Sequence, residues 1–278
     1  LLGHSVDKVR HAAGSAVAHG LLLFPGSVSN VLNQVEKKCL EVEAIEDPRE
    51  RASMSTVVES LFYMLQKCAE CSVFAVDQLS RFLDILFIHA FACESDVVRI
   101  QGMQTGEAFV ESYGKENKQV LLEYLSARMM AMEQDADTEE EMIRQDHMRE
   151  GCVVLLGKVT CFLEDGDARI IDTTNILMSS LAIPAASVQE AIARCLTPLF
   201  KYEALRANAG IYVDKLLKQL TEGETYAARR GAALGLAGAI KGMSSKAFKE
   251  YNINEFIEKA AQSDSPRARE GAMLILEA

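Results

Sequence analysis

The side chains with reactive potential in this 278-residue chain are few, and their spacing argues against catalysis. Cys68 and Cys71 have the C-x-x-C spacing of a dithiol pair or of half a zinc site. A zinc site needs a second such pair, and a thioredoxin-type site needs a neighbouring strand. The sequence offers neither, so both cysteines read as packing on an apolar helix. His11 and His19 lie two helical turns apart, too far for the i, i+4 chelate of one metal. The acidic run 133–141 lacks the mid-loop glycine of a calcium-binding EF-hand and reads as a solvated loop or a charged contact patch. Gly231, Gly235, Gly238 and Gly242 surround Lys241 without making a phosphate loop. Gly242 follows the lysine where Ser or Thr is needed, and no strand precedes it. No nucleophile–base pair emerges. The expectation is a non-catalytic protein with no cofactor and no metal.

Those glycines carry a different message. Between Gly231 and Ile240 no side chain is polar, and so short a run is a buried core helix and not a membrane span. The four glycines fall at i, i+4, i+7 and i+11, on one stripe of a helix. Each interior glycine gives up about 1 kcal/mol of helix propensity relative to alanine. A neighbouring helix approaching closely along that stripe is the simplest compensation.

Elements that position such a helix recur along the chain. Arg149, Gln189, Arg229 and Arg269 are spaced by 40 residues, each in an apolar helix with a small residue close behind. Upstream the phase drifts through Arg99 and Arg10. Asp7, Asp96 and Asp146 stand three residues before Arg10, Arg99 and Arg149. A period near forty marks a helical solenoid, whose helix pairs bury their apolar faces only by stacking. Arg10, Arg99, Arg149, Arg229 and Arg269 are therefore assigned to a structural ladder. The expected fold is all-α, a right-handed solenoid of about six to seven helix pairs forming a single elongated domain over 1–278.

Local signals set the expected helices. They cover 7–20, ended by Gly20; 29–44; 48–67, opened by the N-cap Asp47 and first-turn Pro48; 73–91; and 96–113, stopped by Gly114. Further helices are expected over 117–132, 142–163, 168–181, 184–200, 206–220 and 247–261, with a last one opening at Ser265-Pro266.

Hydrophobic residues make up 49% of the chain and tryptophan is absent, which suits Leu/Ala helix packing. Seven cysteines spread through apolar helices suit reduced thiols in a cytoplasmic or nuclear setting. The net charge of −11 is uneven: residues 1–200 carry 17 basic and 30 acidic side chains, residues 201–278 carry 12 and 10. The first part should repel nucleic acid and anionic membrane, so direct RNA contact is expected only in the last two repeats. The sequence starts at Leu1 and stops inside the apolar stretch Met273-Leu274-Ile275-Leu276, and is read as a piece of a longer solenoid.

Tyr226-Ala-Ala-Arg-Arg-Gly-Ala-Ala-Leu-Gly-Leu-Ala-Gly-Ala-Ile-Lys-Gly resembles the signature of one HEAT-repeat family, the general-control translational activators. Arg267-Ala-Arg-Glu-Gly-Ala-Met is similar to the following repeat of that family. Val188-Gln-Glu and Arg194-Cys-Leu-Thr-Pro-Leu are similar to the preceding one. The likeness is specific over 187–278, looser over 141–186, and rests on the repeat period alone before that. Ala228 stands where the family pattern has Glu. The resemblance implies a cytoplasmic HEAT scaffold that binds stalled ribosomes and activates the kinase of initiation factor two alpha. It also implies an ATP-binding-cassette protein as partner, with the kinase bound by regions outside this chain. An unrelated HEAT adaptor, such as a nuclear transport receptor or phosphatase scaffold, would share the period but not the signature.

Within the signature, Arg230 lies outside the arginine column and Lys241 lies eleven residues on, within about 20° of it on an ideal helix. These two cations are the candidate partner contacts, with Glu222, Glu224 or Asp264 as alternative partners of Arg230 within the chain.

Overall fold

Side chains that satisfy the first backbone amides open several helices of this chain, as its computed structural model shows for residues 1–132, 138–244 and 246–278. Asp47 accepts from the Arg49 amide at 2.9 Å and Pro48 occupies the first turn, starting α3 (Pro48–Glu70). Thr225 accepts from the Ala228 amide at 3.1 Å to start α11 (Tyr226–Met243), and Ser265 caps α14 (Pro266–Glu277) in the same way. Among the described residues there is no strand, and the fold is all-α. No single helix among them is long and apolar enough to cross a membrane.

The chain forms two compact units, Leu1–Gly151 and Cys152–Ala278. In the first, α1 (Asp7–Leu23) packs on α3, and α3 packs on α5 (Asp96–Ala131). A second layer is made by α2 (Val28–Glu43) and α4 (Leu79–Ile85), the latter continuing as a π-helical turn, Leu86–Phe91. Aromatic rings fill the space between the layers. Phe82 stacks on Phe109 with centroids 4.3 Å apart, and the Phe74 amide donates to the buried Tyr113 hydroxyl at 2.8 Å. The segment α6 (Glu139–Thr160) contributes its first part to this unit.

The second unit takes the rest of α6, then α7 (Ala168–Ser180), α8 (Ala186–Leu199), the short α9 (Glu203–Arg206) and α10 (Ala209–Glu222). After α11 come α12 (Ala247–Glu250), α13 (Ile253–Ala261) and α14. Helix α11 is central: it packs against α8 on one side, α14 on the other, and α10 behind. Leu196, Leu199, Phe200, Leu216 and Leu236 are buried in this core.

Several element limits differ from those read in the sequence. Gly20 does not end α1, which runs on to Leu23 because that glycine keeps helical backbone and its carbonyl accepts from Phe24. Gly114 does not end its helix either. The break comes at Asn117 (φ −112°, ψ 20°), whose side-chain amide donates to the Tyr113 carbonyl at 3.1 Å and competes with the backbone ladder. The stretch 73–91 is not one α-helix: a 3₁₀ turn (Val76–Gln78) opens it and the π turn closes it. The helix expected over 247–261 is split by Asn252, which adopts φ 50°, a conformation asparagine tolerates.

Candidate functional site

The arginine column has a common local geometry. Val6, Asp47, Ser95, Ala185, Thr225 and Ser265 are N-caps, and Arg10, Arg51, Arg99, Gln189, Arg229 and Arg269 each stand four residues after one. A first-turn side chain leans back toward the helix N-terminus, so its head reaches the preceding turn. There it meets carbonyls that have no helical donor. Arg99 donates to the Cys93 and Glu94 carbonyls (2.7 and 2.8 Å), Arg229 to Gly223 and Glu224 (2.7 and 3.3 Å), and Arg269 to Ser263 and Asp264 (2.7 and 3.0 Å). Arg10 does the same with His4 and Ser5, and Gln189 substitutes an amide that donates to Ile183 at 2.8 Å. The acids three residues earlier also engage: Asp7 pairs with Arg10, Asp96 with Arg99, and Asp146 with Arg149.

Rungs between neighbouring helices extend from the same positions. Arg229, with its side chain 8% exposed, pairs with Glu270 of α14. Arg10 approaches Glu59 of α3 at 3.5 Å, and Gln189 of α8 donates to the Ala227 carbonyl of α11 at 2.8 Å. Arg149 departs from the pattern because α6 begins ten residues before it. It sits mid-helix and donates to the Met132 carbonyl and to Gln145.

Sequence reasoning missed Arg51. It fills the gap between Arg10 and Arg99, donates to the Ile45 carbonyl at 3.1 Å and approaches Glu94 at 3.5 Å. The signal is present in the sequence, since Arg51 stands four residues after the Asp47 cap. Counting from caps instead of along a fixed period recovers it.

The two candidate contact cations differ in surroundings. Arg230 reaches back to α8, donating to Gln189 Oε1 and Glu190 Oε1, both at 3.0 Å. Its partners within the chain are thus not Glu222, Glu224 or Asp264. Lys241 is exposed in the last turn of α11, where the helix dipole favours a cation, and makes no ion pair among the described residues.

The glycine stripe of α11 lies against the backbone before and within α8. A β-carbon on Gly231 would overlap the Leu181 carbonyl, one on Gly238 the Ala193 carbonyl, and one on Gly242 the Thr197 carbonyl. Gly235 faces the end of the Leu181 side chain instead. Thr197 donates to the Gly238 carbonyl at 3.2 Å across the same interface.

The other reactive groups are absorbed by packing. Burial pushes the Cys68 and Cys39 thiols up to about 12. Both should resist alkylation near neutral pH in the folded chain and label readily in denaturant, which a mass-resolved labelling time course would check. A native-state rate matching the denatured rate would contradict this. Because an unfolded thiol ionises near 8.5, the same shift makes stability fall as pH rises from about 9 toward 12. His11 stacks on Tyr63 with centroids 4.0 Å apart, and His19 bonds the Ser15 carbonyl at 2.7 Å. No group of three potential metal ligands converges among the described residues. Residues 133–137 of the acidic run lie outside the described residues.

Residues 1–161 match a family model described as "Stalled ribosome sensor GCN1, HEAT repeats". The chain belongs to the GCN1 HEAT-repeat family. That match covers the part where the repeat period alone speaks for the family, while the signature helix lies beyond it. Among GCN1-type relatives, the human stalled ribosome sensor GCN1 is 33% identical over 61% of this chain. The Saccharomyces cerevisiae eIF-2-alpha kinase activator GCN1 is 28% identical over 63%. The Arabidopsis thaliana protein ILITYHIA is 28% identical over 99%, so its alignment includes the glycine helix. The chain spans 6 to 10% of the length of these three relatives. No solved structure matches it.

Proposed function

We propose that this chain is a scaffold segment of a ribosome-associated activator of the initiation-factor-two alpha kinase, working in the cytoplasm and without catalysis of its own. The GCN1 family match over residues 1–161 carries this reading. Names of relatives support it, one being a stalled ribosome sensor and another an eIF-2-alpha kinase activator. The arginine column acts in stacking, since its guanidinium groups are spent on turn carbonyls and neighbouring acids. Lys241 and Arg230 are the proposed contacts for a partner, either the ribosome or an ATP-binding-cassette protein. The kinase is engaged by regions outside this chain.

The test is capture of ribosomes, and of the cassette protein, from amino-acid-starved cells by the chain and by Arg230→Glu with Lys241→Glu. The pair Arg230–Glu190 is partly exposed, so its reversal, which sets a carboxylate beside Glu190 and Gln189 Oε1, should cost about 1–2 kcal/mol and leave the fold intact. Association should weaken. Normal association by the folded double variant would remove these two residues from the contact surface.

Direct RNA binding is expected to be weak and confined to residues beyond 200, where the charge is close to balanced. Filter binding of ribosomal RNA by residues 1–200 and by the whole chain, over a salt series, checks this. Equal salt-sensitive binding by both would contradict it.

A further inference from the structure

We propose that a groove in the first unit docks a basic peptide segment with an apolar anchor. The inference rests on this groove and not on the ribosome reading above, so the two can fail separately.

The groove begins as a cavity of about 410 Å³ between α2, the start of α3, the π turn and the start of α5. It adjoins a second recess, reaching the start of α6, that shares Ile88, Ala92 and Arg144 with it. A volume of this size suits one or two side chains of a ligand. The π turn is what shapes its wall. Its extra residue per turn leaves Ile88 42% exposed toward the groove while His89 is buried at 3%, its Nδ1 paired with Glu43 Oε1 at 2.7 Å. Val42, Val58 and Val98 line the first cavity and Ile143, 50% exposed, lines the second. An apolar floor open to solvent at two isoleucines calls for an apolar anchor.

Charge selects the rest of the ligand. Of the three arginines on the rim, Arg51 is turned to Ile45 and Glu94, and Arg128 lies by Asp84 and over the Phe87 ring. Glu140 and Glu141 are exposed at the second recess and form no ion pair among the described residues. Glu94 has its side chain 81% exposed, and Glu43 keeps half of its own surface while holding His89. Residues 1–151 carry the whole net charge of −11, and residues 152–278 are balanced. A polyanion such as RNA is repelled from this unit, whereas a cationic peptide is drawn to it. Arg144 is the one rim cation without an ion pair among the described residues, and it opposes such a ligand.

The experiment is fluorescence anisotropy with the whole chain and a labelled peptide of four Lys-Lys-Leu repeats. Controls replace each Lys by Gln or each Leu by Ser, and a labelled oligouridylate tests RNA. Saturable, salt-sensitive binding of the Lys-Lys-Leu peptide is expected, with both control peptides and the RNA at least about 5-fold weaker. Glu140→Gln with Glu141→Gln should weaken binding by roughly 3- to 5-fold, and Ile143→Ser by a similar factor. Arg144→Glu should tighten it by about 2- to 3-fold, a direction that loss of folding cannot produce. Equal binding of the Gln or Ser peptide, direct binding of the labelled oligouridylate as tight as that of the Lys-Lys-Leu peptide, or an unchanged affinity in the Arg144→Glu variant would overturn the proposal.

Discussion

Gly238→Leu is expected to destabilise the second unit by about 3 kcal/mol, at the upper end of the cost of overpacking a core. A β-carbon on Gly238 would overlap the Ala193 carbonyl oxygen and stand 3.0 Å from its carbon. That obstacle is backbone of α8, and no rotamer change removes it. Alanine at the same site should therefore also destabilise, by about 1–2 kcal/mol, although an exposed helix would gain about 1 kcal/mol from the exchange. Gly231→Ala should behave alike, because the Leu181 carbonyl it would strike also accepts from Gln189 Nε2 at 3.0 Å. Gly235→Ala is the internal control. Its neighbour is a methyl of Leu181, the far end of a side chain that can rotate, so the change should stay within about 0.5 kcal/mol. Urea midpoints of the four variants decide the matter. If Gly238→Ala and Gly235→Ala unfold together at the parental midpoint, α11 does not use its glycines for close approach.

Arg229→Glu is expected to cost about 2–3 kcal/mol. The guanidinium is buried between two loads: Glu270 on α14, and the Gly223 and Glu224 carbonyls at the end of α10. Reversal leaves those carbonyls without a donor and sets a second carboxylate beside Glu270. Breaking a fully buried pair costs roughly 3–5 kcal/mol, and Glu270 is 40% exposed, so solvent screening lowers the figure. Arg269 makes the same turn contacts with its side chain exposed, and Arg269→Glu should cost less than about 1 kcal/mol. Thermal unfolding of the two variants gives the comparison, and equal losses would mean that burial between helices adds nothing to the column. Glu270→Gln in the Arg229→Glu background should recover part of the loss by removing the like charge.

The sequence alone determined the fold class, since a forty-residue period, the Asp47-Pro48 and Ser265-Pro266 caps and the lack of alternating strands are all local patterns. It also raised the expectation of a close approach along the glycines of α11, because their shared stripe costs propensity that packing must return. What it left open is set by partners far away in the chain. Nothing local says that Gly231 and Gly238 meet carbonyls while Gly235 meets a movable methyl, since that depends on the path of the chain before and through α8. Arg229 and Arg230 are adjacent and chemically alike, yet one turns to Glu270 of α14 and the other to Glu190 of α8. Which neighbour each meets follows from the rotation of α11 between those two helices. The π turn that buries His89 and opens Ile88 is likewise a tertiary outcome. A mostly apolar run such as 79–91 permits either helical register, and the register is chosen by the packing of α5 on it and by the His89–Glu43 pair with α2.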